Sequence, residues 1–147
     1  FMKKIMFVGP IGVGKTTLTQ RIEGVEIIYA KTQTVQFHDD IIDTPGEFVQ
    51  HRLMYNALLV TAAEADILGF LISAKEKEQM FPPGFASLFN KPAIGIITKM
   101  DLIDENDDIE FIKNQLVMTG ASPIFKVGIN SDKGIQDLLN YLNTLDK

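Results

Sequence analysis

The feature that most constrains the fold is the segment G-P-I-G-V-G-K-T at residues 9–16, which follows a short apolar run and precedes a helical pattern. The segment matches G-x-x-x-x-G-K-[ST] in full, in the strand-to-helix position that this pattern requires. Its glycines let the backbone curl so that N–H groups point at phosphate oxygens, and the helix N-terminus adds its positive end. An ordinary glycine-rich turn is the alternative interpretation. The segment predicts a phosphate-binding loop in an α/β domain.

Individual residues of this loop have predicted roles that follow from their chemistry. The Lys15 ammonium is expected to reach the β- and γ-phosphates of a nucleoside triphosphate, and the Thr16 hydroxyl is expected to bind Mg²⁺. The other predicted nucleotide contacts of this segment lie in the loop and at the helix start, at Gly9, Gly12, Val13, Gly14 and Thr17.

Strand-like apolar runs alternate with helical patterns along the rest of the chain. Strands are predicted at residues 4–9, 35–37, 41–43, 67–72, 93–98 and 123–127, and helices at 15–23, 50–63, 107–119 and 135–145. Acidic residues lie near the start of the third of these helices, where the helix dipole favours them. The alternation predicts a single α/β domain over residues 1–147, with a mostly parallel sheet covered by helices on both faces.

Residues 80–85, with the sequence M-F-P-P-G-F, form an apolar segment that contains a proline pair. One interpretation is a docking site for a partner protein. The other is a turn that folds its aromatic side chains onto the core.

Charge and composition exclude several classes of protein. The net charge is −5 and the 14 basic residues are scattered, so nucleic-acid binding is not expected. The chain has no cysteine, which excludes disulfides and thiolate metal sites and is consistent with a reducing compartment. No apolar run approaches the roughly 18 residues of a membrane-spanning helix. We therefore expect a cytoplasmic protein without a membrane span.

A second motif, D-T-P-G at residues 43–46, follows a short predicted strand. An acidic residue at the carboxyl end of a strand faces the ligand crevice of an α/β sheet. Asp43 is therefore expected to hold Mg²⁺ through a water molecule, and the Gly46 N–H is expected to donate to the γ-phosphate. Alone, D-x-x-G is also a common turn sequence. The phosphate-binding interpretation of this motif is favoured because a predicted phosphate loop lies upstream.

A third motif, T-K-M-D at residues 98–101, ends another apolar strand. The Asp101 carboxylate can accept hydrogen bonds from guanine N1–H and from the 2-amino group, whereas adenine presents no such donor pair. Lys99 can lay its alkyl stem along the purine face. The alternative is an exposed strand end followed by an acidic helix cap. With the other two motifs upstream, Thr98, Lys99 and Asp101 predict a guanine site.

In their order along the chain, the three motifs resemble those of the Ras-like, translation-factor-related P-loop GTPases. This resemblance implies a mainly parallel, six-stranded sheet flanked by helices, and it covers nearly the whole length. A narrower resemblance, to the EutP/PduV group of ethanolamine- and propanediol-utilisation proteins, rests on K-T-Q at residues 31–33 and D-T-P-G-E at residues 43–47. It implies a link to a bacterial microcompartment, with a shell or pathway protein as the partner.

The resemblance also implies further site residues. The switch threonine that binds Mg²⁺ and γ-phosphate corresponds to Thr32 or Thr34, and Thr32 is preferred because Thr34 is expected to open the next strand. Glu47 stands where many relatives have the glutamine that orients the attacking water. It is either a catalytic residue, together with Lys15 and Thr32, or a solvated loop charge. The Ile129 N–H falls where relatives support the guanine with a Ser-Ala motif.

These observations predict a Mg²⁺-dependent protein that binds GTP and GDP and hydrolyses GTP slowly. Slow hydrolysis is expected because Glu47 replaces glutamine and because neither Arg21 nor Arg52 is placed as an arginine finger. The second interpretation is an ATP-dependent phosphotransferase that acts on a small carboxylate, as an acetate kinase does. The third is a scaffold that binds nucleotide without turnover.

Overall fold

The computed structural model describes residues 4–10, 12–22, 41–43, 55–128 and 133–144. The strands in these ranges are β1 (Ile5–Val8), β2 (Ile41–Asp43), β3 (Ile67–Ser73), β4 (Ala93–Thr98) and β5 (Ile124–Lys126). They form one sheet in the order β2-β1-β3-β4-β5, and every neighbouring pair is parallel. The predicted α/β fold with a parallel sheet is therefore confirmed.

The described ranges contain four helices alongside the sheet. They are α1 (residues 15–22), α2 (Tyr55–Ala62), α3 (Ile109–Thr119) and α4 (Lys133–Thr144). Two short 3₁₀ segments, Phe85–Phe89 and Met100–Leu102, lie on either side of β4. Among the described residues, no helix combines the length and the apolar character needed to cross a bilayer.

The sheet separates two apolar cores. Met6 of β1 belongs to the core that α2 and α3 cover, and the next residue, Phe7, belongs to the core that α1 and α4 cover. Successive side chains of a strand point to opposite faces, so a strand buried on both sides must be apolar throughout, as β1 is. The helices contribute Leu58, Ala62, Ile112 and Leu116 to the first core, and Leu18, Ile22, Ile135, Leu138, Leu139 and Leu142 to the second.

The strand order fixes where a ligand can bind. β1 lies between β2 and β3. The connection from β1 to β2 therefore runs toward one edge of the sheet, and the connection from β3 to β4 runs toward the other edge. In open α/β sheets, such a reversal leaves a crevice outside the carboxyl ends of the strands, and ligands bind there. The predicted phosphate loop begins directly after β1, at this crevice.

The apolar segment at residues 80–85 packs into the core. Phe81 and Phe85 are each 1% exposed, and both rings contact Phe70 of β3 at centroid distances of 5.2 and 5.9 Å. Full burial of one such ring contributes about 1.5–3 kcal/mol. The structure therefore favours the core interpretation of this segment over the docking interpretation.

Some predicted boundaries differ from the structure or lie outside the described residues. Helix α3 begins two residues later than predicted, because the Asp108 side chain accepts a hydrogen bond from the Phe111 N–H and caps the helix. It ends where Gly120 adopts a left-handed conformation with φ of 105°, as helix-terminating glycines commonly do. The predicted strand at 35–37, which would complete a six-stranded sheet, lies outside the described residues, as does the start of the predicted helix at 50–63.

Candidate functional site

The loop after β1 depends on two glycines with left-handed backbone. Gly12 and Gly14 have φ of 80° and 105°, a region that other residues enter only with strain. The loop then runs directly into α1, where the Leu18 N–H donates to the Gly14 carbonyl at 2.9 Å. The first N–H groups of a helix have no intrahelical acceptor and carry the positive end of its dipole. The loop and helix start together provide a site suited to phosphate.

Lys15 lies inside this loop. The residue is 8% exposed, and its Nζ donates to the Gly9 carbonyl at 2.7 Å. A buried ammonium needs partners that compensate for lost hydration. Phosphate oxygens offer stronger, charge-assisted acceptors than a carbonyl does. The loop therefore holds a cation in position to bind phosphate.

The end of β4 is joined to the phosphate loop by two side-chain hydrogen bonds. The Thr98 hydroxyl donates to the Val13 carbonyl at 2.6 Å, and Lys99 Nζ donates to the Gly12 carbonyl at 2.7 Å. The first and third sequence motifs, which are separated by more than eighty residues, thus meet at one edge of the sheet. The sequence did not indicate that these two side chains hold the loop.

Asp101 lies just beyond this junction. Lys99 adopts a left-handed conformation with φ of 60°, which turns the chain into the 3₁₀ segment that carries Asp101. Such a conformation costs about 1–2 kcal/mol in a residue other than glycine, and functional sites are where it commonly persists. The turn is fixed to the residue that follows β5 by the Met100 N–H, which donates to the Val127 carbonyl at 3.0 Å.

Gly128 packs directly against Asp101. A Cβ placed on Gly128 would lie 2.9 Å from Asp101 Oδ1, closer than real Cβ atoms approach, and 3.0 Å from the Asp101 nitrogen, which is also tight. A larger residue here would therefore force Asp101 to shift. Gly128 also precedes Ile129, the predicted guanine contact, which lies outside the described residues.

A mostly apolar pocket lies between the phosphate loop and the Asp101 turn. Ligand pockets for planar bases commonly combine apolar walls with a few polar groups that fix orientation. Here the polar groups come from α1 and from the end of β4. The pocket is lined by Gly14, Thr17, Leu18, Arg21, Thr98, Lys99, Leu102, Val127, Gly128 and Ile135.

A cluster of ionic contacts holds the chain that follows Asp101. The Asp107 side chain, 1% exposed, accepts from Lys75 Nζ and from Lys77 Nζ, each at 2.7 Å, and from the Asp104 N–H at 2.9 Å. The hydrogen bond from Lys75, followed by those from Lys77 and Asp104, holds the pKa of Asp107 well below its ordinary value. The hydrogen bond to Asp107 in turn raises the pKa of Lys75. Lys75 also donates to the Leu102 carbonyl at 3.2 Å, so the cluster fixes the end of the Asp101 turn.

The residues present fit a magnesium ion. Thr16 is exposed at the start of α1, and Asp43 ends β2, opposite Phe7 in the parallel register with β1. Hydroxyl and carboxylate oxygens are the ligand types that Mg²⁺ prefers. The main chain thus brings two of the three predicted ligand residues to the same edge of the sheet, and Thr32 lies outside the described residues.

The structure brings together the predicted residues of the loop and of the third motif. These are Gly9, Gly12, Val13, Gly14, Lys15, Thr16, Thr17, Thr98, Lys99 and Asp101. Glu47 and Gly46 lie outside the described residues, together with Thr32 and Ile129. Sequence analysis missed Arg21, whose guanidinium donates to the Gly128 carbonyl at 3.2 Å. No local sequence pattern indicates this contact, because its two partners are 107 residues apart in the chain.

Solved structures with a similar fold are P-loop GTPases. The translation elongation factor SelB from Methanococcus maripaludis, in complex with the GTP analogue GppNHp, aligns with a TM-score of 0.62 at 22% identity over 97% of this chain and 33% of that chain. Era from Aquifex aeolicus bound to GDP·AlF4⁻ aligns with a TM-score of 0.59 at 21% identity over 95% of this chain and 57% of that chain. At such identities the likeness concerns the fold.

Two relatives are similar over nearly their whole length. The "Propanediol utilization protein PduV" of Citrobacter freundii is 39% identical over 142 residues, which cover 97% of this chain and 94% of that protein. The "Probable acetate kinase EutP" of Escherichia coli (strain K12) is 36% identical over 149 residues, which cover 99% and 92%. The family model described as "PduV-EutP: Ethanolamine utilisation - propanediol utilisation" matches residues 2–144. The chain therefore belongs to the PduV-EutP family, and it has the fold of a P-loop GTPase.

Proposed function

We propose that this protein is a Mg²⁺-dependent guanine-nucleotide-binding protein that hydrolyses GTP slowly. The observation that carries the proposal is the junction between the phosphate loop and the end of β4, made by the hydrogen bonds of Thr98 and Lys99. Gly14 of the phosphate loop lines the pocket together with Lys99 and Leu102, which lie on either side of Asp101 in sequence, and with Gly128, against which Asp101 packs. A nucleotide whose phosphates occupy the loop would direct its base toward that pocket.

Base selection in this proposal depends on Asp101. Its carboxylate accepts from guanine N1–H and from the 2-amino group, while Lys99 covers one face of the purine with its alkyl stem. Adenine would leave the carboxylate without a donor. An unpaired polar group in such a site disfavours the wrong base.

Phosphate binding depends on Lys15 and on the first turn of α1. Lys15 exchanges its carbonyl acceptor on Gly9 for β- and γ-phosphate oxygens. Thr16, Asp43 and Thr32 are the proposed Mg²⁺ ligand residues, and the ion would neutralise charge on the phosphate oxygens. The Gly46 N–H is the proposed donor to the γ-phosphate, and the Ile129 N–H the proposed support for the base.

We expect the isolated chain to hydrolyse GTP on the order of 10⁻⁴ s⁻¹, the intrinsic rate of a GTPase without its activator. Glu47 cannot donate to the γ-phosphate, and Arg21 is engaged at the base end of the site through the Gly128 carbonyl. Single-turnover hydrolysis of radiolabelled GTP with excess protein measures this rate. A rate above about 1 s⁻¹ without a partner would contradict the proposal, since unassisted GTPases are far slower.

A second candidate is an ATP-dependent kinase that phosphorylates acetate or another small carboxylate. The observation that favours it is the name "Probable acetate kinase EutP" carried by a relative 36% identical to this chain. The phosphate loop and Mg²⁺ ligands would serve either activity. This candidate also needs an acceptor pocket near the γ-phosphate and a base preference that Asp101 does not explain.

Within a cell, we propose a cytoplasmic protein whose partner is a microcompartment shell protein or an enzyme of ethanolamine or propanediol breakdown. Membership of a family described by ethanolamine and propanediol utilisation supports the pathway. The third interpretation is a scaffold that binds nucleotide in the same pathway. It differs from the main proposal only because it does not hydrolyse GTP.

Equilibrium titration with GTP, GDP and ATP, each with and without Mg²⁺, tests the proposed function directly. We expect guanine nucleotides to bind at least about tenfold more tightly than ATP, because only guanine offers Asp101 a pair of donors. Inorganic triphosphate, which has no base, should bind more weakly than GTP. The same preparation is incubated with ATP and acetate, and acetyl phosphate is trapped with hydroxylamine. A preference for ATP together with acetyl hydroxamate formation would establish the kinase instead.

A further inference from the structure

Arg21 makes a contact that neither phosphate binding nor hydrolysis requires. It lies on α1, the helix that begins in the phosphate loop, and its Nη1 donates to the Gly128 carbonyl at 3.2 Å across 107 residues of sequence. Its side chain is partly buried and lines the pocket between the loop and the Asp101 turn. The contact therefore joins the phosphate-binding helix to the segment that follows β5.

The acceptor of this hydrogen bond is itself packed on the base-selecting residue. The space for a Cβ on Gly128 is filled by Asp101, whose Oδ1 and backbone nitrogen lie within 2.9 and 3.0 Å of that position. The preceding residue, Val127, accepts from the Met100 N–H and donates to Ile97. Any displacement of Gly128 must therefore displace the Asp101 carboxylate or open a gap beside it.

We propose that Arg21 is a positioning residue for base selection, acting through Gly128 on Asp101. This inference rests on the proposed guanine specificity. Arg21 fixes the distance between α1 and the Gly128 segment, so that Asp101 presents its carboxylate at the right place beside the pocket. It acts through another residue, and it is neither an arginine finger nor a phosphate ligand.

The chemistry of arginine suits this role. Its planar guanidinium forms charge-assisted hydrogen bonds with fixed direction, whereas a lysine ammonium on a flexible stem is a compact point charge. Methionine at the same position keeps an apolar stem against the pocket but removes the donor. Arg21→Met therefore separates the hydrogen bond from the packing of the side chain.

We expect Arg21→Met to weaken GDP binding about tenfold while leaving the weak binding of ADP nearly unchanged, because adenine does not use the Asp101 carboxylate. The measured quantity is the ratio of the dissociation constants of ADP and GDP in Mg²⁺ buffer. Arg21→Lys is expected to restore part of this ratio. Lys113→Met, which removes an exposed cation from α3, is the control and should leave the ratio unchanged.

A double-mutant cycle identifies the route of the effect. If Arg21 acts through Asp101, then Arg21→Met should change GDP affinity little in an Asp101→Asn background, because the carboxylate that it positions is gone. Two fully additive losses would overturn the proposed route. Thermal unfolding of each variant is followed in parallel, since a purely structural role would lower the Tm and weaken GDP and ADP by the same factor.

The outcomes separate this inference from the function on which it rests. A wild-type chain with no preference for GDP over ADP overturns the proposed function and this inference with it. A wild-type preference that persists unchanged in Arg21→Met overturns the inference alone. Should Arg21→Met fail to fold, Arg21→Leu takes its place, because it also removes the donor while keeping an apolar side chain, and an unchanged ratio in that variant has the same meaning.

Discussion

Replacement of Lys15 by alanine is expected to weaken GTP binding by about 10- to 150-fold, the equivalent of roughly 1.5–3 kcal/mol for a charge-assisted hydrogen bond. Lys15 is 8% exposed, and its ammonium donates to the Gly9 carbonyl within the phosphate loop. Its removal takes away the cation that the loop holds ready for the β- and γ-phosphates. Isothermal titration with a non-hydrolysable GTP analogue measures the loss.

The matched control is Lys113→Ala, which removes an exposed lysine from α3 and should bind the analogue as the wild type does. The loss in Lys15→Ala should also be larger for the triphosphate than for GMP, because GMP has no β- or γ-phosphate. Equal losses for both ligands, or affinity equal to the wild type, would show that the loop does not bind phosphate through this lysine.

Replacement of Asp101 by asparagine is expected to exchange guanine for xanthine as the preferred base. Xanthine has a carbonyl at C2 where guanine has an amine, so an amide donor suits xanthine and a carboxylate suits guanine. Loss of two charge-assisted hydrogen bonds costs roughly 2–4 kcal/mol, which corresponds to about 30- to 1000-fold in GTP affinity. Competition of GTP and xanthosine triphosphate against a fluorescent nucleotide measures both changes in one experiment.

Glu110→Gln serves as the control, since it removes an exposed carboxylate from the first turn of α3 and should leave base preference unaltered. An Asp101→Asn variant that gains no affinity for xanthosine triphosphate, in a protein that prefers ATP, would make residues 98–101 a simple strand end. The acetate kinase candidate would then lead.

The sheet was predictable from sequence because parallel strands buried on both faces are continuously apolar. β1 and β4 illustrate this, and the predicted limits of β4 coincide with the observed ones. The start of α3 was not predictable to the residue, because neighbouring acids have different roles that depend on distant partners. Asp108 caps the helix. Asp107 instead forms ion pairs with Lys75 and Lys77, which follow β3 in the chain.

The residues of the candidate site also differ in how far the sequence could predict them. The positions of Lys15 in the loop and of Asp101 in the turn after β4 could be predicted because each belongs to a short local motif. Their roles in binding phosphate and guanine stay predictions. The bond between Arg21 and Gly128 could not be predicted, because it depends on the rotation of α1 and on the path of the chain after β5. The Thr98 hydroxyl was named as part of its motif, but its acceptor in the phosphate loop became visible only in three dimensions.

The phosphate loop is synthesised early but acquires its restraints late. Thr98 and Lys99 are separated from their acceptors in the loop by 85 and 87 residues. At about 5–20 residues per second, a ribosome needs roughly 4–17 s to add that length. No local hairpin can hold the loop meanwhile, because parallel strands pair only after long crossover connections. A nascent chain that ends before β4 therefore lacks these two restraints on the loop, and the loop acquires them only when the second half of the chain has emerged.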